Sequence, residues 1–232
     1  MQNIFDLNGC DTTVTQSGEG LPLILLHGGP GAFDYLDSLA PMLIGHRLIR
    51  YDQRGGGQAG SAGPHSVSQL LADLEALRLQ LGHDSWIVAG HSWGAFLALA
   101  YAAKYPQHTR AVLHISGTGL DLDWQKAYHA NRRKRLSPPE QITYLHLRQE
   151  RENACAGKQA EINRQLLDIT LKADFCDPAK AAALPDMLAY PIDPGVQEAL
   201  MADWQQHLLD ASFRQSVANL AMPVLCLHGD AD

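Results

Sequence analysis

The chain has 232 residues, of which 46% are hydrophobic and 19% are charged, values typical of a globular protein with a sizeable core. Eighteen basic residues against 25 acidic ones give a formal charge of −7, which disfavours nucleic acid and anionic membranes as partners. No apolar run approaches the roughly 18 residues of a membrane span, and the N-terminus does not resemble a signal peptide. The scattered cysteines indicate neither a zinc site nor a disulfide framework, and we expect a cytoplasmic protein.

Strands and helices alternate along the first half of the sequence. Short apolar runs predict strands at 21–26, 46–51, 86–89 and 111–115. Helical periodicity or composition predicts helices at about 33–44, 66–81 and 93–105. This alternation is typical of an α/β fold, a mostly parallel sheet with helices on both faces. The glycine-rich segments at 27–31, 54–57 and 90–94 each follow a strand, so they fall on the edge of the sheet where ligands bind.

The pattern changes after Asp121. Residues 121–215 have little strand signal and many helix-forming residues, and a strand pattern returns near 222–229. We therefore predict a first core part at 1–120, a helical cap inserted at 121–215 and a second core part at 216–232. The basic cluster at 132–135, inside the cap, is interpreted as a solvated helix face.

Gly90-His91-Ser92-Trp93-Gly94 matches the pattern G-x-S-x-G between a predicted strand and a predicted helix. In this setting the pattern indicates a tight turn that holds the serine in a strained conformation and projects its hydroxyl from the sheet edge. Gly90 and Gly94 allow the strand and the helix to approach closely. The alternative is a simple turn with a capping serine, but the flanking elements favour Ser92 as a nucleophile.

His27-Gly28-Gly29-Pro30-Gly31 follows the strand predicted at 21–26. Acyl transfer passes through an oxyanion, which two backbone N–H groups usually stabilise. We predict the amides of Trp93 and Gly29 as these donors, with His27 and Gly28 supporting the loop. A purely structural turn is the alternative.

Three segments together, HGGPG, DQRGGG (52–57) and GHSWG, resemble the α/β-hydrolase fold family. More narrowly, they are similar to the proline iminopeptidase branch, in which these motifs occur in the same order. The resemblance covers residues 20–120 strongly and 211–232 moderately. It implies a serine hydrolase without a metal or organic cofactor, whose substrate is a small peptide or ester. The serine at the motif argues against relatives that use a carboxylate nucleophile.

The resemblance also implies a triad acid after the last core strand. Gly229-Asp230-Ala231-Asp232 supplies Asp232 as the matching position and Asp230 as the second choice. The fold's chain order then requires a histidine beyond the acid, whereas all eleven histidines precede Asp232. His91 must point away from its neighbour Ser92, and His27, His114 and His228 are interpreted as structural. The cap histidines His129, His146 and His207 have no evident role as a base.

Two interpretations follow from the missing histidine. In the first, the sequence is a piece of a longer product that lacks the last strand, the last helix and the triad histidine. In the second, the protein is a non-catalytic ligand-binding member of the fold. The strand at 224–227 would otherwise be an exposed apolar edge, which favours the first interpretation.

The substrate is the least constrained part of the prediction. Proline iminopeptidases hold the free amine of a peptide with acidic cap residues, and the cap here offers Asp121, Asp123, Glu140, Glu150, Glu152, Glu161, Asp174 and Asp203. None of these lies in a Trp-x-x-Trp-Glu segment of the kind found in that family. Trp124 and Trp204 could line an apolar pocket or pack helices together. An aminopeptidase releasing an N-terminal residue, and an esterase or amidase acting on a small apolar substrate, both remain open, as does the oligomeric state.

Overall fold

A computed structural model describes residues 2–177, 179 and 190–229. Its centre is a seven-stranded sheet. The strands are β1 (Gln2–Asp6), β2 (Asp11–Ser17), β3 (Leu21–Leu26), β4 (His46–Tyr51), β5 (Trp86–His91), β6 (Thr109–Ile115) and β7 (Val224–Leu227). They lie in the order β1-β2-β4-β3-β5-β6-β7, with β2 antiparallel to both β1 and β4 and every later pair parallel. The predicted mostly parallel α/β sheet is therefore confirmed.

The central strand β3 is apolar throughout because both faces of the sheet are covered there. Ile24 and Leu26 point into the larger core cluster, and Leu23 and Leu25 point into a smaller one on the opposite face. The alternation follows directly from the two-residue period of a strand. The loop that follows β3 therefore begins at the buried centre of the sheet.

Two helices of the first half cover the larger core. These are α1 (Val67–Gln80) and α2 (Trp93–Lys104). The Ser66 hydroxyl accepts a hydrogen bond from the backbone N–H of Gln69 at 3.2 Å, so the serine caps α1. Every residue of α2 from Trp93 to Ala102 is buried. Such an all-round apolar helix must be enclosed, and α2 lies between the sheet and the helices packed outside it.

The helix predicted at 33–44 is wrong in type and extent, since the structure has a 3-10 helix over Leu36–Met42. Pro41 lies inside this segment and has no N–H to donate to a continuing α-helix. Side chains also fix the approach to the segment. The Asp34 carboxylate accepts the N–H of Leu36 at 3.1 Å, and the Asp52 carboxylate accepts the N–H of Asp34 at 2.6 Å.

All elements described between β6 and β7 are helical. They are α3 (Asp123–Lys134), α4 (Pro138–Glu152), α5 (Ala156–Leu171), a 3-10 turn (Lys172–Asp174), α6 (Pro194–Leu209) and α7 (Ala211–Ala218). Helices α4 and α5, the connection before α4 and the 3-10 turn form a small core of their own that includes Leu136 and Tyr144. In contrast, α6 and α7 join the main core through Trp204, Leu208 and Phe213. The predicted boundary at 215 falls inside α7.

The last strand, β7, pairs with β6 and leaves its apolar side chains exposed in the part of the chain that the structure describes. Val224 is 41% exposed and Leu225 is 53% exposed. Across the same described ranges, no helix combines the length and apolarity needed to cross a lipid bilayer.

Candidate active site

Ser92 occupies the junction between β5 and α2 in a conformation that L-residues rarely adopt, with φ at +55° and ψ at −116°. Its N–H donates to the Ile115 carbonyl oxygen at 3.0 Å, which fixes the turn to β6. A Cβ at Gly90 would clash with the Gly94 carbonyl oxygen, and a Cβ at Gly94 would lie 2.6 Å from the His27 carbonyl oxygen. The two glycines are therefore required for this close approach of strand, helix and loop.

Ser92, Gly29 and Trp93 line one cavity of about 920 Å³ between the sheet edge and the helices after β6. Within the described ranges, no side chain hydrogen-bonds to the Ser92 hydroxyl, and the amides of Gly29 and Trp93 have no acceptor. The structure thus brings together the predicted nucleophile and the two predicted oxyanion donors. Asp230 and Asp232 lie outside the described residues, so their predicted role as triad acid stays a prediction.

A buried hydrogen-bond network connects the three glycine-containing motifs. His27 accepts the backbone N–H of Gln53 at its Nε2 (3.0 Å), so its Nδ1 carries the proton and faces the Gly28 carbonyl oxygen at 3.0 Å. The Gln53 side chain donates to the His27 carbonyl oxygen (2.9 Å) and accepts the indole N–H of Trp93 (3.1 Å). Complete burial of His27 lowers its pKa and keeps the imidazole neutral. His27 is therefore a structural residue beneath the site.

Tyr35 supports the loop after β3 and contacts the histidine that precedes Ser92. Its hydroxyl accepts the N–H of Gly28 at 3.0 Å and lies 2.7 Å from Nδ1 of His91. A Cβ on Gly28 would clash with this hydroxyl, which explains the glycine. Burial raises the pKa of Tyr35, so the phenol stays protonated. His91 points towards Tyr35, away from Ser92, as its position in the motif predicts.

The segment 52–57 stabilises the loops beneath the cavity. The Asp52 carboxylate accepts the backbone N–H groups of Asp34 (2.6 Å) and Gln58 (2.9 Å). Arg54 and Asp73 form a buried ion pair, with Arg54 Nε 2.7 Å from Asp73 Oδ2. The sequence pattern places residues 54–57 at the ligand-binding edge of the sheet but does not predict this supporting role. The signal available in the sequence was a charged and polar triplet directly after a buried strand.

Aromatic residues form a row from the floor of the cavity to its wall. The Trp204 ring is 6.2 Å from the Trp93 ring and 6.4 Å from the Trp124 ring. Trp124 in turn is 5.6 Å from Tyr128. Trp204 and Trp124 therefore both line the cavity and pack helices together, so neither of the two predicted roles excludes the other.

The prediction of a wholly solvated basic face at 132–135 is wrong for Arg132. Its guanidinium pairs with Asp174 at 2.5 Å, and its side chain is only 20% exposed. Arg132 also lies over the Tyr128 ring and lines the cavity. A charge run in the sequence does not reveal which member turns inward.

Most of the cap acids that were available as candidate amine ligands have structural contacts. Glu140 caps α4 through Ser137, Glu150 pairs with Lys158, Asp174 pairs with Arg132, Asp121 accepts the N–H of Asp123, and Asp203 accepts the N–H of Val67. Among the described residues, Glu161 is the acid that lines the cavity. Sequence reasoning could not separate these roles because each partner is distant or depends on helix geometry.

None of the remaining histidines hydrogen-bonds to the Ser92 hydroxyl in the described ranges, although His129 lines the same cavity. His114 lies on β6, where burial lowers its pKa. His207 contacts Phe96 and Phe213 edge-on, and His129 lines the outer part of the cavity. No cluster of His, Cys, Asp or Glu in the described parts of the chain could hold a metal ion.

The fold and the serine turn together define the class of protein. The sequence model of the α/β hydrolase fold matches residues 22–232, so the chain belongs to the α/β-hydrolase family. Curated relatives include the proline iminopeptidases of Saccharolobus solfataricus (37% identical over 122 residues) and Xylella fastidiosa strain Temecula1 (39% over 141 residues). The alignments cover 50% and 54% of this chain, and 39% and 42% of those relatives. The chain thus spans less than half the length of these curated relatives.

Solved structures support the same fold. A proposed epoxide hydrolase of Pseudomonas aeruginosa superposes with a TM-score of 0.69 at 21% identity, covering 99% of this chain and 79% of that one. The 2-hydroxy-6-oxo-6-phenylhexa-2,4-dienoate hydrolase of Rhodococcus sp. strain RHA1 gives a TM-score of 0.62 at 17% identity, covering 99% and 81%. Proteins with such different named activities share the architecture, so the fold alone does not select a substrate.

Proposed function

We propose that this chain carries the nucleophile and the oxyanion hole of a serine hydrolase that works through an acyl-enzyme. The observation that carries the proposal is Ser92, held at positive φ on the floor of the cavity with its hydroxyl unengaged within the described residues. In this proposal the Ser92 oxygen attacks the scissile carbonyl. The N–H groups of Gly29 and Trp93 stabilise the resulting oxyanion, and the positive end of α2 adds to that stabilisation. Asp232 orients a histidine that accepts the serine proton and passes it to the leaving group.

The first candidate substrate is a small peptide from which an N-terminal residue is released. Its support is the similarity to proline iminopeptidases over half of the chain. A second candidate, an ester or amide without a free amine, is favoured by a specific observation. Glu161 is the one acidic side chain that lines the cavity among the described residues, and five of the other cap acids are engaged elsewhere.

The nucleophile is tested by labelling the full-length protein with a fluorophosphonate and locating the adduct by mass spectrometry. We expect the label on Ser92, and we expect its loss in Ser92→Ala. Ser61→Ala is a matched control, because Ser61 lies 3.0 Å from Nε2 of a histidine, His65, but sits on an exposed loop outside the cavity. Absence of labelling, or labelling of Ser61, would refute the assignment. It would favour a binding protein that keeps the fold.

The two substrate candidates are separated by comparing prolyl p-nitroanilide with p-nitrophenyl butyrate. Preference for the first supports an aminopeptidase, and preference for the second supports an esterase. Hydrolysis of either that survives Ser92→Ala would contradict a serine mechanism altogether.

A further inference from the structure

The wall of the cavity is positively charged, although the chain as a whole carries −7. Arg132 on α3, Arg148 and Arg151 on α4, and Arg164 on α5 all line it, against a single lining carboxylate, Glu161, in the described residues. Arg148 and Arg151 are three residues apart on one helix, so they share a face and repel one another. Arg148, Arg151 and Arg164 are exposed to solvent, and an anion bound between them would relieve this repulsion.

Most of this charge has no acidic partner. Arg132 is compensated by Asp174 at 2.5 Å. The Arg148 Nη1 donates only to the Tyr144 hydroxyl, at 3.3 Å. For Arg148, Arg151 and Arg164, no carboxylate oxygen lies within 4.0 Å anywhere in the described ranges. The guanidinium groups therefore keep donors available for a ligand.

The arginines also affect the pKa of a neighbouring histidine. The pKa of His129 is lowered, first by burial and then by repulsion from Arg148, Arg132 and Arg133. His129 lines the same cavity and stays neutral near pH 7. A neutral imidazole adds no further positive charge to the arginine wall and remains able to accept or donate one hydrogen bond there.

The aromatic row sets the distance between this wall and the nucleophile. It runs from Trp93 beside Ser92 through Trp204 and Trp124 to Tyr128, and the Arg132 guanidinium lies 5.6 Å from the Tyr128 ring centre. Aromatic rings thus lie between the reacting centre and Arg132. A ligand with an apolar middle and one charged end is compatible with this arrangement.

We propose that the cavity recognises a small substrate with a carboxylate group, which Arg148 and Arg164 bind while the scissile carbonyl lies at Ser92. Guanidinium groups suit this role because their planar fork binds a carboxylate through two parallel hydrogen bonds. This inference rests on the proposed function for the position of the carbonyl. The charge preference itself is a property of the cavity and is tested by binding, independently of catalysis.

The test compares three probes of nearly equal shape on the full chain: 3-phenylpropionate, 3-phenylpropionamide and 3-phenylpropylamine. Binding is measured by calorimetry and by tryptophan fluorescence, because Trp93, Trp124 and Trp204 line the cavity. We expect the carboxylate to bind at least tenfold more tightly than the amide and the amine, with a preference that declines as salt is added. Equal affinities, tighter binding of the amine, or no binding of the carboxylate up to 10 mM (about −2.7 kcal/mol) would overturn the proposal.

Charge-removing variants identify the residues. We expect Arg148→Gln and Arg164→Gln each to weaken binding of the carboxylate several-fold while leaving the amide unchanged. Arg110→Gln makes the same chemical change at the start of β6, where Arg110 donates to Ser85 outside the cavity, and should bind like the parent. Undiminished carboxylate binding in the double variant would refute the assignment. If that variant does not fold, the three-probe comparison on the parent chain still decides the charge preference.

Failure here is distinguishable from failure of the proposed function. A chain that is labelled at Ser92 but does not prefer the carboxylate keeps the serine mechanism and loses this substrate class. A chain that prefers the carboxylate but is never labelled keeps the recognition site and loses the mechanism.

Discussion

The buried ion pair between Arg54 and Asp73 gives the sharpest prediction on stability. The exposed fractions of the two side chains are 1% and 2%. Besides Arg54, the Asp73 carboxylate accepts hydrogen bonds from the amides of Asn8 (2.8 Å) and Gln69 (2.9 Å). Substituting Asp73 by alanine would leave a guanidinium buried without a counter-charge, and breaking such a pair typically costs about 3–5 kcal/mol.

Arg54 retains main-chain contacts that moderate this cost, one of them from its Nη1 to the Ala62 carbonyl oxygen. Its Nη2 donates to the Leu7 carbonyl oxygen at 2.8 Å, and this bond does not depend on Asp73. We therefore expect Asp73→Ala to lower the free energy of unfolding by about 3 kcal/mol, at the lower end of the range for buried pairs. For a chain of this size, that corresponds to a fall in Tm of roughly 6–12 °C.

Asp37→Ala is the matched control, since Asp37 also pairs with an arginine, Arg50, but its side chain is 83% exposed. Arg50 keeps Asp34 at 2.6 Å, so the loss should stay below about 1 kcal/mol. Urea unfolding followed by tryptophan fluorescence measures both variants. Arg54→Ala and the double variant complete a cycle in which the double variant should cost clearly less than the sum of the two single variants. Equal losses for Asp73→Ala and Asp37→Ala, or strict additivity in the cycle, would refute the reasoning.

Three further predictions concern the turn and its support. Gly94→Ala should destabilise the chain by about 1–3 kcal/mol, because the added Cβ would meet main-chain carbonyl oxygens. Gly157→Ala is the control: Gly157 has open space around it, so this variant should be neutral or slightly stabilising in thermal melts. Gln53→Ala should cost about 1–3 kcal/mol in urea unfolding, because it leaves the buried indole N–H of Trp93 without its acceptor; an unchanged midpoint would contradict the proposed network. The lowered pKa of His27 means that the unfolded chain takes up a proton that the folded chain does not, so stability should fall as the pH drops below about 6.5. His27→Gln should make this fall in stability shallower. An identical pH profile in the variant would show that protonation of His27 does not cause the fall.

The parallel sheet and the serine turn could be predicted because their determinants are local in the sequence. Leu21–Leu26 has no polar residue to place on a solvated face, and the structure buries residues 23–26 on both sides of the sheet. Gly90 and Gly94 flank Ser92 at the spacing that close packing of strand and helix requires. The α1 helix begins and ends within a residue of its predicted bounds because Ser66 and Gly82 mark its two termini.

The supporting residues could not be predicted in the same way because their partners are distant in sequence. Gln53 contacts His27 and Trp93, which are 26 and 40 positions away. Tyr35 reaches His91 across 56 positions. Such contacts leave no periodic pattern in the sequence, and only the packed fold brings these residues together. The helix predicted at 33–44 failed for the opposite reason, since its local composition was favourable but Pro41 and the contacts of Asp34 imposed a tighter turn.

The many acidic residues in the cap sequence favour an amine as the ligand, whereas the charges that line the cavity favour a carboxylate. The cap sequence offers many acids, which suggests recognition of an amine, but Glu150, Asp174 and Asp203 are engaged by Lys158, Arg132 and a backbone N–H. What determines recognition is the charge left without a partner at the cavity surface, and in the described residues that charge belongs mainly to arginines. A substrate with both an amine and a carboxylate, such as a short peptide with a free C-terminus, would satisfy Glu161 and the arginines together. A carboxylate preference together with cleavage of dipeptides that have a free amine would therefore support an aminopeptidase acting on very short peptides, whereas a carboxylate preference with cleavage of esters alone would favour the esterase.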